Sequence, residues 1–402
     1  MSLKIHFPKV GNGDCIIAIR ETDEGVKQSL MVDCGMFNDE VRHLVVDELG
    51  KHIDCLVVTH FDDDHILGIT KMLQELTDLT IEKILFNCKP IMDGVEHEMP
   101  EDERVVKLNA VLQKLATYEP HDIEQEVSAG KATSLASLLF GNFSWYEAWR
   151  QADVIRTEHD EDAIYLGEMG KLYILSPTMT ELRSLSEKYK SDYTREFFKR
   201  VEKSNASLYE VILRLDDIIG KRKLIVEHAT AGELCNAGII RKLSTTDDGS
   251  DNSENNASSI AFVWEINGKR ILLTGDATAE VLKDGLSKYR EIKGLEQDST
   301  ILFDLIKLPH HGSKFNSSRT LLKSIDSKEF VTCGQFKDTT PDLSTYARII
   351  CRPLADGIEE RNLIFNLENY RNKSIAEFIS NHIDADETIR PYTVTKGNVV
   401  TL

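Results

Sequence analysis

Seven cysteines are spread along the chain, an odd number, and none stands in a Cys-x-x-Cys pair. A disulfide framework is therefore not expected. Cys15 in CIIAIR and Cys55 in DCLVVTH sit in apolar runs, the setting of buried free thiols. Excess positive charge is also missing: 48 Lys and Arg face 67 Asp and Glu, for a formal net charge of −19. A field of that sign repels phosphate backbones at long range, so a nucleic-acid substrate requires bound divalent cations or a local basic patch. No apolar run approaches the length of a membrane span. The opening MSLKIHFPKV has no apolar core of a signal peptide. A soluble, cytoplasmic protein with no membrane partner is the expectation. There is no internal repeat, and the one biased tract, STTDDGSDNSENN at 244–256, predicts a mobile acidic surface loop.

What is present is ordinary core material: 41% of the 402 residues are hydrophobic, enough to bury a sizeable interior. The length prior allows two or three domains or one elaborated α/β domain, and the element order favours the second. Short apolar strands are predicted over Leu3 to Phe7, Cys15 to Arg20, Leu30 to Asp33, Ile53 to Thr59 and Ile81 to Asn87. Helical spacing marks Asp39 to Leu49 and Ile66 to Leu76. From 90 to 160 the character turns helical and charged, with Phe143, Trp145, Tyr146 and Trp149 clustered at its end; this reads as a helical insertion whose aromatics form its core rather than a base-stacking platform. A hairpin follows (Ala163 to Leu166, Lys171 to Leu175), then a charged helix inserted over 178–205. Strands are expected at Leu208 to Leu215 and Lys223 to Glu227. SSIAFVWEI, Asn267-Gly268 and KRILLT spell a two-residue hairpin. Helices and strands then alternate: Ala277 to Tyr289, Ile301 to Leu308, Ser317 to Ile325, Glu329 to Cys333, Leu343 to Cys351 and Leu363 to Leu367. Two mixed β-sheets faced by helices satisfy this order.

Three stretches carry chemistry. Thr59-His60-Phe61-Asp62-Asp63-Asp64-His65 follows an apolar strand and precedes a helix. Ligands at the carboxyl end of a strand point into a crevice. Two imidazoles and two carboxylates so close together suit a divalent ion such as zinc, manganese or iron, which also offsets the repulsion among the acids. The competing reading is an acidic loop that caps the following helix. Next, ILLTGD ends a strand on Asp276, which could bridge two metals or simply cap the helix that begins at Ala277. Last, LPHHGS places His310 and His311 after a strand. One imidazole could ligate a metal while the other serves as general acid or holds a substrate oxygen; the alternative is one buried and one solvated histidine. Ser313 and the amides after Gly312 could hold an anion.

In this order, HxDxDH, LTGD and KLPHHGS resemble the metallo-β-lactamase superfamily, and within it the hydrolase domains of ComEC-type competence proteins and their soluble relatives. VGNGDCIIAI, MVDCG and Asn256-Ala257-Ser258-Ser259 resemble further segments of that group. The resemblance spans about Met1 to Phe86 and Asn255 to Thr340. It implies a single αββα sandwich over 1–402, two mixed β-sheets flanked by helices with a helical insertion, and one or two divalent ions, zinc or manganese. His60 and Asp62 would hold one ion with His310 or His311, which of the two being open with a lean to His311. Asp64 and His65 would hold the second with Asp276 bridging, and Asp64 could also position the attacking water. Asp33 would accept a hydrogen bond from a ligand imidazole. Asn256, Ser259 and Ser313 would contact substrate. The chain departs from the family pattern twice. Asp62 stands in place of the usual second histidine, which shifts preference from zinc towards manganese or magnesium. Thr340 stands before Pro341 where a histidine ligand is usual, leaving the second ion to water or Asp338. His159 and His228 read as structural histidines.

The function implied is metal-dependent hydrolysis of a phosphoester by a metal-activated water, that is, a phosphodiesterase or nuclease with catalytic roles for Asp64, His310 and His311. Lys307, Lys314, Arg319 and Lys323 around the HHGS motif would supply a basic patch or form a solvated face. A different class of function is a subunit of a larger defence or competence complex with reduced or regulated activity, a protein partner docking on the insertion. A carbonyl-ester, lactone or β-lactam hydrolase ranks third.

Overall fold

Alternation along the strands decides the layering. In His52–Val58, Leu56 and Val58 join one buried cluster while Cys55 and Val57 join another, so the strand is covered on both faces. The computed structural model of the chain describes residues 2–60, 62–87, 135–150, 155–158, 162–192, 237–246, 249–334, 340–366 and 387–402. Its strands are β1 Ser2–His6, β2 Cys15–Glu21, β3 Lys27–Cys34, β4 His52–Val58, β5 Thr80–Phe86, β6 Ile164–Tyr165, β7 Lys171–Ser176, β8 Ala261–Ile266, β9 Lys269–Leu273, β10 Ile301–Lys307, β11 Ile325–Thr332, β12 Arg361–Phe365, β13 Tyr392–Lys396 and β14 Val399–Thr401. The helices are α1 Asp39–Arg42, which runs on as a π-helix over His43–Glu48, α2 Asp63–Glu75, α3 Leu135–Gly141, α4 Phe143–Arg150, α5 Met179–Asp192, α6 Ala237–Ser244, α7 Glu254–Ala257, α8 Ala279–Lys293, α9 Arg319–Ser324 and α10 Leu343–Cys351.

The strands form two mixed sheets. A six-stranded sheet runs β14-β1-β2-β3-β4-β5, antiparallel up to β3 and parallel from β3 to β5. An eight-stranded sheet runs β13-β12-β11-β10-β9-β8-β7-β6, parallel from β13 to β9 and antiparallel beyond. Leu3, Ile5, Val32 and Val57 of the first sheet meet Phe262, Trp264, Leu305 and Ile364 of the second in a shared core. Outside the first sheet Ile69, Met72 and Leu73 of α2 cover Met31, Leu56 and Ile84. Outside the second, α8, α9 and α10 bury Leu282, Leu286, Leu321 and Ile349 against Leu272, Ile306 and Phe330. The result is the expected αββα sandwich of two mixed sheets flanked by helices.

Several expectations meet the structure directly. Asn267 and Gly268 turn the β8–β9 hairpin with φ of 50° and 76°. Trp145, Tyr146 and Trp149 of the aromatic cluster are core, the tryptophan Nε1 groups donating to the carbonyls of Leu79 (2.8 Å) and Phe86 (3.0 Å), whereas Phe143 is exposed. Of the predicted insertion, α3 and α4 lie among the described residues, whereas 88–134, His159, His228, both strands expected over 208–227, and Asp338 lie outside them. The helix predicted for 178–205 is described as far as Asp192. Cys15, Cys34, Cys55, Cys333 and Cys351 are free thiols, and no described helix is long and apolar enough to cross a membrane. The element expected from Glu329 is β11, which begins earlier, at Ile325, directly from α9. The C-terminal strands β13 and β14, which close an edge of each sheet, were not foreseen.

Candidate metal centre

Loops at the carboxyl ends of β3, β4, β9 and β10 meet at one rim of the sandwich. β4 delivers Thr59 and His60, and α2 begins at once. Asp62 is its N-cap residue, with φ −66° and ψ 144°, yet its side chain makes no capping hydrogen bond. The carboxylate turns away from the helix, accepting from Asn255 Nδ2 at 2.8 Å and lying 3.5 Å from His60 Nε2. The capping alternative therefore fails for this side chain. Burial opposes its ionisation, but the nearby His60 and His65 imidazole charges and the hydrogen bond from Asn255 hold the carboxyl down at about 2.

The turn between β1 and β2 fits closely against the start of α2. A Cβ on Gly13 would stand 1.6 Å from the Asp64 carbonyl oxygen, and one on Gly35 would stand 2.4 Å from it. Asp14 N donates to that same oxygen at 3.2 Å. This contact fixes the backbone of Asp64, whose Oδ2 lies 3.1 Å from His311 Nε2.

His65 is fully buried, and its Nδ1 lies 2.8 Å from Asp33 Oδ2. Asp33 also accepts from the amide and hydroxyl of Thr59, at 2.8 and 2.6 Å. With Nδ1 donating to the carboxylate, the side of His65 that would offer a lone pair to a metal is Nε2, which faces the centre. Asp276, delivered by β9, places Oδ2 at 3.4 Å from His65 Nε2, 3.6 Å from His311 Nε2 and 3.8 Å from His310 Nε2. Burial works against its ionisation, but the charges of His311, His65 and His310 hold its carboxyl well below the usual range. In the reverse sense, burial works against protonation of His311, but Asp276 and Asp14 raise it to about 10. Such a field attracts cations.

The two histidines after β10 differ. His310, His311 and Gly312 all have positive φ, at 45°, 50° and 80°. For the non-glycine pair that conformation costs roughly 1–2 kcal/mol per residue, a strain retained at the centre itself. His311 is fully buried, with Nδ1 on the Cys333 carbonyl at 2.9 Å and Nε2 turned to Asp64 and Asp276. His310 is partly exposed; its Nδ1 lies 3.4 Å from Asp251, 3.3 Å from Asn256 Nδ2 and 3.2 Å from Asn316 Oδ1. The sequence reading grouped His311 with His60 and Asp62, whereas its closest carboxylate in the centre is Asp64.

The hydroxyl of Ser313 accepts from the amide of Phe315 at 3.2 Å. Ser259 is fully buried, its Oγ without a hydrogen-bond partner among the described residues. Thr340 is buried at the edge of the described residues. Asp251 and Asn256 anchor the end of the predicted acidic loop: Asp251 Oδ2 accepts from Asn256 at 2.7 Å and Asn316 at 2.8 Å, and residues from Glu254 form α7. The expected basic patch needs one correction. Lys307 is fully buried, because Asp14, Asp276 and the Gly275 carbonyl draw its ammonium inward. Sequence reasoning took Asp14 only as part of a turn and missed Asn255, Asp251 and Asn316; the adjacency of Asn255 to Asn256 was the one local hint.

His60, His65 and Asp276 offer ligand atoms all within 4.8 Å of one another, and so do Asp64, His65 and His311. Nε2 of His60 and Nε2 of His65 are buried and make no hydrogen bond among the described residues. Buried polar atoms normally find partners, so aligned orphans of this kind fit a divalent cation. A comparison with curated proteins gives no match. Residues 16–132, which carry β2 to β5 and the HxDxDH motif, match the family model of the metallo-beta-lactamase superfamily.

Proposed function

We propose that the protein is a metal-dependent hydrolase that cleaves phosphoester bonds. The observation that carries the reading is the pair of orphaned, buried Nε2 atoms on His60 and His65, each within 4.8 Å of the other and of an Asp276 carboxylate oxygen. In this reading His60 and Asp62 hold one divalent ion, Asp64, His65 and His311 hold a second, and Asp276 lies between them. Asp14, Asp33, Asp62, Asp64 and Asp276 outweigh the ammonium of Lys307, an excess of negative charge that favours divalent cations over neutral ligands. Asp62 puts an oxygen where a nitrogen is usual in the resembled family, and this favours manganese over zinc. A bound divalent ion supplies charge stabilisation at a phosphoryl oxygen and lowers the pKa of water.

The chain's own groups do the rest. Asp33 holds His65 in one tautomer, and the Cys333 carbonyl does the same for His311. His310, the more exposed of the pair and held by Asp251, Asn256 and Asn316, is placed to protonate the leaving oxygen. The ComEC-like motif order supports a phosphodiester substrate over a lactone or β-lactam.

Purified protein is assayed with manganese and with zinc against bis(p-nitrophenyl) phosphate, DNA and RNA. Metal-dependent turnover that disappears in Asp64→Ala is the expected result. Thr340 in place of a histidine supports a second reading, a subunit whose activity depends on a partner. Inactivity of the isolated, metal-loaded chain together with a stably co-purifying protein would favour that reading.

A further inference from the structure

Lys307 ends β10 just before the histidine pair and has no exposed surface. Its ammonium contacts Asp14 Oδ2, donates to the Gly275 carbonyl at 2.9 Å and lies 3.7 Å from Asp276 Oδ1. Removing an ammonium from water costs several kcal/mol unless charged partners offset it, and β10 offers apolar neighbours in Leu305 and Ile306 that a methionine would suit as well. The position of the charge is therefore informative. Asp276 turns Oδ2 to the imidazoles and Oδ1 to the lysine. Asp14 turns Oδ2 to the lysine and keeps Oδ1 at 3.2 Å from His311 Nδ1. Asp14, Asp276 and His311 also offer ligand atoms within 4.8 Å of one another, and the two carboxylates of that set could themselves hold a cation. Lys307 already puts a cation there.

We infer that Lys307 is a positioning residue that acts as the resident cation of the Asp14–Asp276–His311 niche, keeping a divalent ion out of it and leaving Asp276 Oδ2 alone for the metal centre. The inference rests on the metal-binding reading given above. It gives Asp14 a function too, as the carboxylate that retains the lysine.

The full chain is stripped of metal and equilibrated with manganese, and bound ions are counted by elemental analysis alongside the manganese electron paramagnetic resonance spectrum. Lys307→Met should take up about one more ion per chain than wild type, with an altered spectrum, because a buried carboxylate pair without its ammonium recruits another cation. The double variant Lys307→Met with Asp14→Asn should not gain that ion. Wild-type stoichiometry and spectrum in Lys307→Met, whatever its melting temperature, would overturn the inference and leave a purely structural ion pair. If Lys307→Met does not fold, Asp14→Asn decides. It leaves the ammonium to Asp276 alone and should weaken manganese binding at least about tenfold; unchanged binding overturns the inference. A wild-type chain that binds no divalent ion overturns the metal reading itself, and the inference survives that result only if Lys307→Met still acquires an ion.

Discussion

Asp33 illustrates how much one side chain can hold without touching a substrate. It has φ of 56°, an uncommon conformation for a non-glycine residue, and spends its carboxylate on Thr59 and His65. Asp33→Asn keeps the shape and can still accept one hydrogen bond, but it no longer fixes the His65 tautomer. Metal affinity should fall about 10–100-fold, read by chelator competition, with little change in melting temperature. Asp326 is the structural counterpart, far from the candidate centre in its partners. Fully buried, it accepts from Arg361 at 2.7 and 2.9 Å and from Arg352 at 2.9 Å. Burial pushes its carboxyl up, but the Arg361 hydrogen bonds and the two guanidinium charges outweigh that and lower it. A carboxyl lowered in the folded state contributes its stability in full above the unfolded value of 3.8 and loses it as pH falls below that value. Asp326→Ala strands two guanidinium groups in the interior and should cost about 3–5 kcal/mol in urea denaturation. It should also flatten the acid limb of the stability profile while leaving metal affinity unchanged.

The turn between β1 and β2, the end of β3 and helix α2 form one unit, because Gly13 in the turn and Gly35 after β3 let the backbone approach the Asp64 carbonyl. Gly13→Ala forces a backbone shift and should cost about 1–3 kcal/mol, with a loss of metal affinity that Gly397→Ala does not share. A Cβ on Gly397 meets only Thr395 Cγ2 at 3.9 Å, an ordinary contact. This dependence on close approach explains what the sequence reveals at the scale of elements. His60 to His65 was legible because its ligands are local: strand end, loop and first helical turn fix their spacing. The hairpin at Asn267-Gly268 was legible because two residues specify its turn. Asp14 and Lys307 were not, since they come from opposite halves of the chain and only the assembled rim brings them together. β14 pairs Thr401 with Lys4 and β13 pairs Tyr392 with Arg361, so neither strand had a local partner to announce it. The π-helical continuation of α1 is not legible in the sequence, because its side-chain spacing differs from an α-helix by too little to register over so few residues.

For the whole molecule, charge makes the most discriminating statement about substrate. A net charge of −19 surrounds a centre that is itself rich in carboxylates. Arg319 and Lys323 are exposed and Lys314 half-buried near the histidine pair, but Lys307 is spent inside. A long polyanion therefore meets repulsion before it meets the cleft, whereas a short phosphodiester carries too little charge to be much affected. The response to salt tests this. A protein that binds duplex DNA through basic contacts loses affinity steeply as salt rises, by about 10³–10⁵ between roughly 50 and 200 mM when it makes several phosphate contacts. Here, screening weakens repulsion over a Debye length of about 10 Å at 0.1 M, so kcat/KM on long DNA or RNA should hold level or rise across that range. On bis(p-nitrophenyl) phosphate it should stay flat. A steep fall on the long substrate alone would show that local cations at the rim overcome the global field, and the natural substrate would then be a polymer rather than a small phosphodiester.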